Sequence, residues 1–157
     1  MKVSEIAIIG GAGFVGSRLM ARFKKRNILS QGYDIDLGSN CNYLDVEDIG
    51  SFSQLADGDT IINLAAVHRD DVRPLSRYDD VNVQGSVNVC EAARESGVNK
   101  IIFTSSVAIY GFSPADTDES GEPDYFNDYG RTKYLAEQVY KEWQAEDPQN
   151  RTLVIVR

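Results

Sequence analysis

The chain has 157 residues, 42% of them apolar and 25% charged, the profile of one soluble domain able to bury a core. No apolar run approaches the length of a membrane span, and the N-terminus lacks the basic flank and cleavage site of a secretory signal. A net charge of −8 disfavours a nucleic-acid or anionic-membrane surface, and Cys41 and Cys90, without metal-ligand spacing, suggest reduced thiols in a cytoplasmic protein.

In chain order, Lys2–Ile9 reads as a first strand and Phe14–Lys25 as a helix, whose basic end at Lys24, Lys25 and Arg26 offsets its dipole. Ile28–Asp34 is a second strand of poor propensity, because Ser30, Gln31 and Gly32 interrupt it. A short strand falls around Tyr43–Asp45 and a clear one at Thr60–Ala66. Ser76–Gly97 is mostly helical, with Gly97 as its stop. Lys100–Ser105 is a buried-looking strand, Lys133–Ala145 an amphipathic helix and Leu153–Val156 a last strand. Strands separated by helices imply parallel pairing through right-handed crossovers. The predicted class is therefore α/β, a doubly wound parallel sheet with helices on both faces. The longest irregular stretch, Gly111–Asp128, is rich in acidic residues and reads as a solvated loop or a lid.

Two features carry chemistry. Gly10, Gly13 and Gly16 lie where the first strand turns into the first helix. Gly10 allows a tight turn, Gly13 lets backbone amides approach a pyrophosphate, and Gly16 permits close helix packing. The phosphates would lie at the positive end of the helix, against Phe14 and Val15. Asp34, ending the second strand, is placed to accept hydrogen bonds from ribose hydroxyls and to repel a 2′-phosphate, which favours NAD over NADP. Asp36 competes for that role. Asp45 and Val46 follow the third strand and are placed to line an adenine pocket.

Tyr129 and Lys133 share one helix face in a Tyr-x-x-x-Lys pattern. A phenol beside an ammonium can take a proton from a hydroxyl while hydride passes to a cofactor. Ser106, closing the strand that begins at Lys100, lies at the carboxyl edge where open α/β sheets bind ligands and can orient the reacting oxygen. His68 borders the same region. A metal site from His68, Asp70 and Asp71 is not expected, since too few ligands converge. Arg69 and Arg73 are expected to pair on the surface with Asp70 and Asp71.

Taken jointly and in order, these motifs resemble the extended short-chain dehydrogenase/reductase superfamily, and most its nucleotide-sugar 4-epimerase branch. The resemblance covers essentially the whole chain. It implies a Rossmann-like fold and NAD held by Gly10, Gly13, Phe14, Val15, Gly16, Asp34, Asp45 and Val46. It adds Leu64, Ala65 and Ala66 after the fourth strand, Asn82 on the following helix, and Tyr129 and Lys133, which serve both cofactor and chemistry. Ser106, Tyr129 and Lys133 are the implied catalytic residues, with no metal. Dehydratases and decarboxylases of this group place acidic residues where this chain has Val107 and Ala108, so epimerisation or ketone reduction remains.

The implied substrate is a nucleotide sugar of the UDP-hexose class, oxidised to a keto-sugar and reduced again on its other face. The implied partner is a second copy of the chain, through the helices Ser76–Gly97 and Lys133–Ala145, and neither nucleic acid nor membrane. Trp143, Tyr134 and Tyr140 are assigned to packing of the catalytic helix or to that dimer face. Relatives continue past the strand ending at Arg157 into a domain that grips the substrate diphosphate. Residues 1–157 are accordingly expected to be the NAD-binding portion alone, turning over sugar poorly by itself. A ketoreductase and a catalytically silent NAD-binding module are the alternatives.

Overall fold

In the computed structural model, residues 5–36, 40–55, 58 and 60–157 are described. Six strands form one parallel sheet: β1 (Ile6–Ile9), β2 (Ser30–Asp34), β3 (Asn42–Tyr43), β4 (Thr60–Asn63), β5 (Lys100–Thr104) and β6 (Thr152–Val156). Their order is β3-β2-β1-β4-β5-β6, the doubly wound arrangement expected. Residues 2–4 of the predicted first strand lie outside the described residues. The registers Ile9↔Tyr33, Ile9↔Asn63 and Asn63↔Phe103 align the carboxyl ends of the central strands along one edge.

β2 forms despite its weak propensity, because it is an interior strand held on both sides by β1 and β3. Gly32, which weakened the prediction, is there for room: a Cβ would lie 2.4 Å from the Met20 sulfur and 2.8 Å from the Cys41 sulfur. Packing of α1 (Phe14–Lys25) over this strand outweighs intrinsic preference. β4 is shorter than predicted, since Leu64 to Ala66 leave the sheet at its carboxyl edge.

The helical stretch beginning at Ser76 is continuous but uneven. α2 (Ser76–Tyr78) runs into a π-helical segment, Asp79–Gln84, and then α3 (Gly85–Ser96), which Gly97 ends at φ +70°. π-Segments are rare and are frequently found at functional sites. This one carries Asn82, which is 3% exposed.

α4 (Asp128–Ala145) starts five residues before the predicted Lys133. The Asn127 side chain accepts a hydrogen bond from the Gly130 amide at 2.8 Å, a regular N-cap that opens the helix. Gly130 would normally count against a helix, but a Cβ there would meet the Ala108 carbonyl oxygen at 2.4 Å. Glycine is thus required by the close approach of α4 to the 3₁₀ turn Val107–Tyr110. No helix among the described residues is long and apolar enough to cross a membrane.

α4 docks by its apolar face. Tyr140 and Trp143 are fully buried in the core with Phe103, Ile101 and Val89, so neither lies on an open dimer face. The Tyr140 ring packs at 4.6 Å between centroids against Phe103 on β5. Burial pushes the Tyr140 phenol up, and it stays neutral as the acceptor of a 2.7 Å hydrogen bond from the Asn63 amide. The Asn63 side-chain oxygen in turn accepts from the Ala65 amide at 3.0 Å, shaping the turn where the chain leaves β4. Tyr140→Phe would leave a buried amide N–H unsatisfied. It is expected to cost about 1–3 kcal/mol, read as a lower urea midpoint at unchanged m-value.

Candidate active site

The glycine turn is built by close contact. Gly10 sits at φ +83°, a conformation glycine adopts without strain, and its carbonyl accepts from the Gly13 amide at 3.2 Å. A Cβ at Gly10 would lie 2.8 Å from the Ala65 amide nitrogen, and one at Gly16 only 2.3 Å from the Gly10 carbonyl oxygen. These two glycines let α1 begin directly on the end of β1. Gly13 caps α1 without a side-chain hydrogen bond, and no acidic residue stands in the first turn. The first amides of a 12-residue helix, those of Phe14, Val15 and Gly16, therefore face a cavity without a partner among the described residues.

That cavity, about 540 Å³, runs along the carboxyl edge of the sheet. On the β2–β3 side its walls are Asp34, Ile35, Asp45, Val46 and Glu47. The Asp34 carboxylate accepts from the Ala12 amide at 2.9 Å and the Asp36 amide at 3.1 Å, which aims it at the glycine turn. Asp36 does not wall the cavity, so of the two carboxylates only Asp34 is in place. Asp45 accepts from the Glu47 amide at 3.0 Å, and the Val46 carbonyl accepts from the Asn88 side chain at 2.7 Å, which pins this turn to α3. Leu64, Ala65, Ala66, Val67 and His68 make the middle wall. Tyr129 and Lys133 close the β5 side, together with Thr104 and Ser105.

Lys133 is 2% exposed. Among the described residues no hydrogen bond or ion pair holds its ammonium, which lies 4.3 Å above the Phe103 ring. Burial lowers its pKa to about 8, against an opposing pull from Glu137 one turn further along α4. Glu137 is fully buried. Burial pushes its carboxyl up, but Arg157, the Ser105 hydroxyl and Lys141 outweigh this and hold it below the ordinary range. Arg157 grips both Glu137 oxygens, at 2.9 and 2.7 Å, and reaches the Tyr110 hydroxyl and the Glu119 carbonyl. The acidic loop after Gly111 is thereby anchored to α4 one turn beyond Lys133.

Two expected contacts take a different form. Ser106 does not wall the cavity: its Oγ accepts from the Ala108 amide at 3.1 Å and caps the 3₁₀ turn, while Ser105 takes the lining position. The Ser105 hydroxyl is itself buried and lies toward Glu137, so Ser105 meets the cavity without offering it that group. Asn82 lies outside the cavity. Its amide donates to the Val67 carbonyl at 2.9 Å and Thr132 Oγ1 at 3.0 Å, and accepts from the Val67 amide at 2.8 Å. It ties the wall after β4 to α4 and acts on any ligand only through them. Arg69 pairs on the surface with Asp71, as expected, while Glu47 and Arg77 are wall residues for which the sequence carried no motif. Among the described residues no cluster of His, Cys, Asp or Glu could hold a metal ion.

A helix start with unpaired amides, a carboxylate at the end of the second strand and a buried lysine share one crevice, which is the architecture of a dinucleotide-binding domain. Residues 6–157 match the family model described as the NAD dependent epimerase/dehydratase family, and the chain belongs to that family. It is 45% identical, over 98% of its length and 47% of the relative's, to N-acetyl-alpha-D-glucosaminyl-diphospho-ditrans,octacis-undecaprenol 4-epimerase of Escherichia coli O157:H7. UDP-glucose 4-epimerase from Brucella ovis, solved with NAD, superposes with a TM-score of 0.88 at 23% identity, covering 97% of this chain and 50% of that one. The Thermotoga maritima enzyme, solved with UDP-glucose, gives 0.85 at 23%, covering 98% and 54%. These two likenesses establish the fold. The chain spans about half the length of the relatives it matches.

Two measurements follow from the geometry. Gly16→Ala should destabilise the domain by about 1–3 kcal/mol in urea unfolding, because its Cβ meets backbone. Gly13→Ala, where a Cβ would meet only the Gly10 oxygen at 3.3 Å, should cost much less. Lys133 binds its proton less tightly folded than unfolded, so its penalty is fully present below about pH 8 and is relieved as pH rises toward 10.5. The stability of the wild type relative to Lys133→Met should therefore rise across that window, by on the order of 3 kcal/mol at most.

Proposed function

We propose that this chain carries the NAD site and the acid–base residues of a 4-epimerase acting on diphosphate-linked hexoses. The observation that carries the reading is the single crevice joining the α1 amides and Asp34 at one end to Tyr129 and Lys133 at the other. The residues fit the cofactor. Unpaired amides of Phe14, Val15 and Gly16 suit a diphosphate, and no side chain blocks the approach over Gly13. Each Asp34 oxygen accepts one backbone bond and retains a lone pair for a ribose hydroxyl, while a 2′-phosphate there would meet like charge. Asp45 and Val46 would hold the adenine edge, Leu64, Ala65 and Ala66 the opposite apolar wall, and Lys133 the nicotinamide ribose.

Bound NAD supplies a reversible hydride acceptor. Tyr129 takes the proton from the sugar hydroxyl and returns it after the sugar has turned over. Lys133 supplies positive charge one helical turn away. Ser106 stands next to the lining residue Ser105, and among the described residues its Oγ only accepts, within its cap, which leaves its own proton for the reacting oxygen of a sugar seated at the β5 end. Val107 and Ala108 offer no group for proton transfer at a neighbouring carbon, which favours epimerisation over dehydration.

UDP-hexoses are the substrate class that the fold neighbours suggest. The identity of 45% to an enzyme named for a polyprenyl-diphosphate-linked N-acetylglucosamine favours a second reading, a lipid-linked sugar used in polysaccharide assembly. The two share a sugar on a diphosphate and differ in what lies beyond it.

The test begins with titration of NAD into the chain, which should give saturable binding stronger than that of NADP. Full-length protein is then offered UDP-N-acetylglucosamine and its polyprenyl-diphosphate counterpart, with epimerisation followed by NMR. Tyr129→Phe should lower the rate about 10²–10⁴-fold while NAD affinity is kept. Equal rates in Tyr129→Phe and wild type, or stoichiometric consumption of added NADH, would count against the epimerase reading.

A further inference from the structure

We propose that Glu47 and Arg77 form a cofactor-retaining pair, an ion-paired strap across the rim of the cavity at its β2–β3 end. The two residues come from separate elements. Glu47 sits in the turn after β3, with its amide bonded to Asp45, and Arg77 stands on α2, beyond the wall that leaves β4. Both line the cavity, and Arg77 Nη1 donates to Glu47 Oε1. Their side chains are 41% and 29% exposed, which places the bond at the mouth and not in the floor.

The pair joins two walls that are otherwise fixed from outside the cavity. The Val46 carbonyl is held by Asn88 of α3, and Val67 by Asn82 of the π-helical segment. Arg77 is the only basic side chain among the described residues lining this end, where Asp34 and Asp45 also stand. The hydrogen bond to Glu47 favours its charged form against the cost of burial, with further help from Asp80 and Asp45. An adenosine group lying between Asp34 and Val46 would leave by the opening that this bond spans. Release then requires the pair to break or to swing aside, so the bond should act on the dissociation rate more than on association.

The inference rests on reading the cavity as an NAD site, and the experiment separates the two. NADH bound to the chain is chased with excess NAD in a stopped-flow instrument, and dissociation is followed by nicotinamide fluorescence. An exposed ion pair supports only a modest effect, so Arg77→Gln and Glu47→Gln should each speed release about two- to fivefold. The double variant should be no faster than either single one, since both remove the same bond. Wild-type release should itself quicken with added salt, and less so in the variants. Thermal unfolding of the unliganded variants controls for a purely structural loss. The proposal fails if the variants release NADH at the wild-type rate, or if only Arg77→Gln has an effect, which would mean that arginine touches the nucleotide without its partner. It also fails if the two single effects add. Absence of NADH binding by the wild type would overturn this inference and the NAD reading together.

Discussion

Every other feature of the site depends on the contact of α1 with the end of β1. A helix can present its unpaired amides to a ligand only if its first turn reaches the sheet edge, and here the distance is set by the Gly10 carbonyl lying beneath Gly16. A methyl group at either position would drive the turn outward. The parallel sheet supplies the rest of the geometry. With all strands running one way, their carboxyl ends share an edge, and Asp34, Asn63 and Thr104 end β2, β4 and β5 along it, with β1 between the first two.

Polar groups buried behind the cavity hold its walls in register. Asn63 and Asn82 each join a strand-end loop to α4, the first through Tyr140 and the second through Thr132. Neither side chain touches the cavity, yet both decide where Tyr129 and Lys133 stand. An unsatisfied buried amide is costly, so each of these bonds is strongly favoured once α4 has docked. The Glu137–Arg157 pair works in the same manner one turn further along the helix, where it also anchors the acidic loop through the Glu119 carbonyl.

The electrostatics of the crevice follow from its two ends. At the β2–β3 end carboxylates outnumber the single arginine, which suits hydroxyl-bearing ribose and opposes a further phosphate. At the β5 end the only cation among the described residues is an ammonium that burial has made easy to deprotonate. A group of that kind is responsive to charge placed beside it, which is the behaviour that the proposed proton transfer by Tyr129 would use.

Much of this was written in local sequence. Glycines after an apolar run, an acidic residue ending the next strand and a tyrosine one helical turn before a lysine each have a local physical meaning, and the crevice assembles from them. The alternation of strand and helix likewise decides the parallel sheet, because crossovers have one allowed hand. Tertiary packing alone decided what no short window contains. It made a strand of Ser30–Asp34 against its propensity, began α4 at Asp128 through the fit of Gly130 under Ala108, and set Ser106 as the cap of the 3₁₀ turn. It also brought Glu47 to Arg77 and Glu137 to Arg157. These pairings join residues from separate elements, and the hydrogen bonds that offset the cost of removing their charges from water exist only after the sheet has closed over its helices.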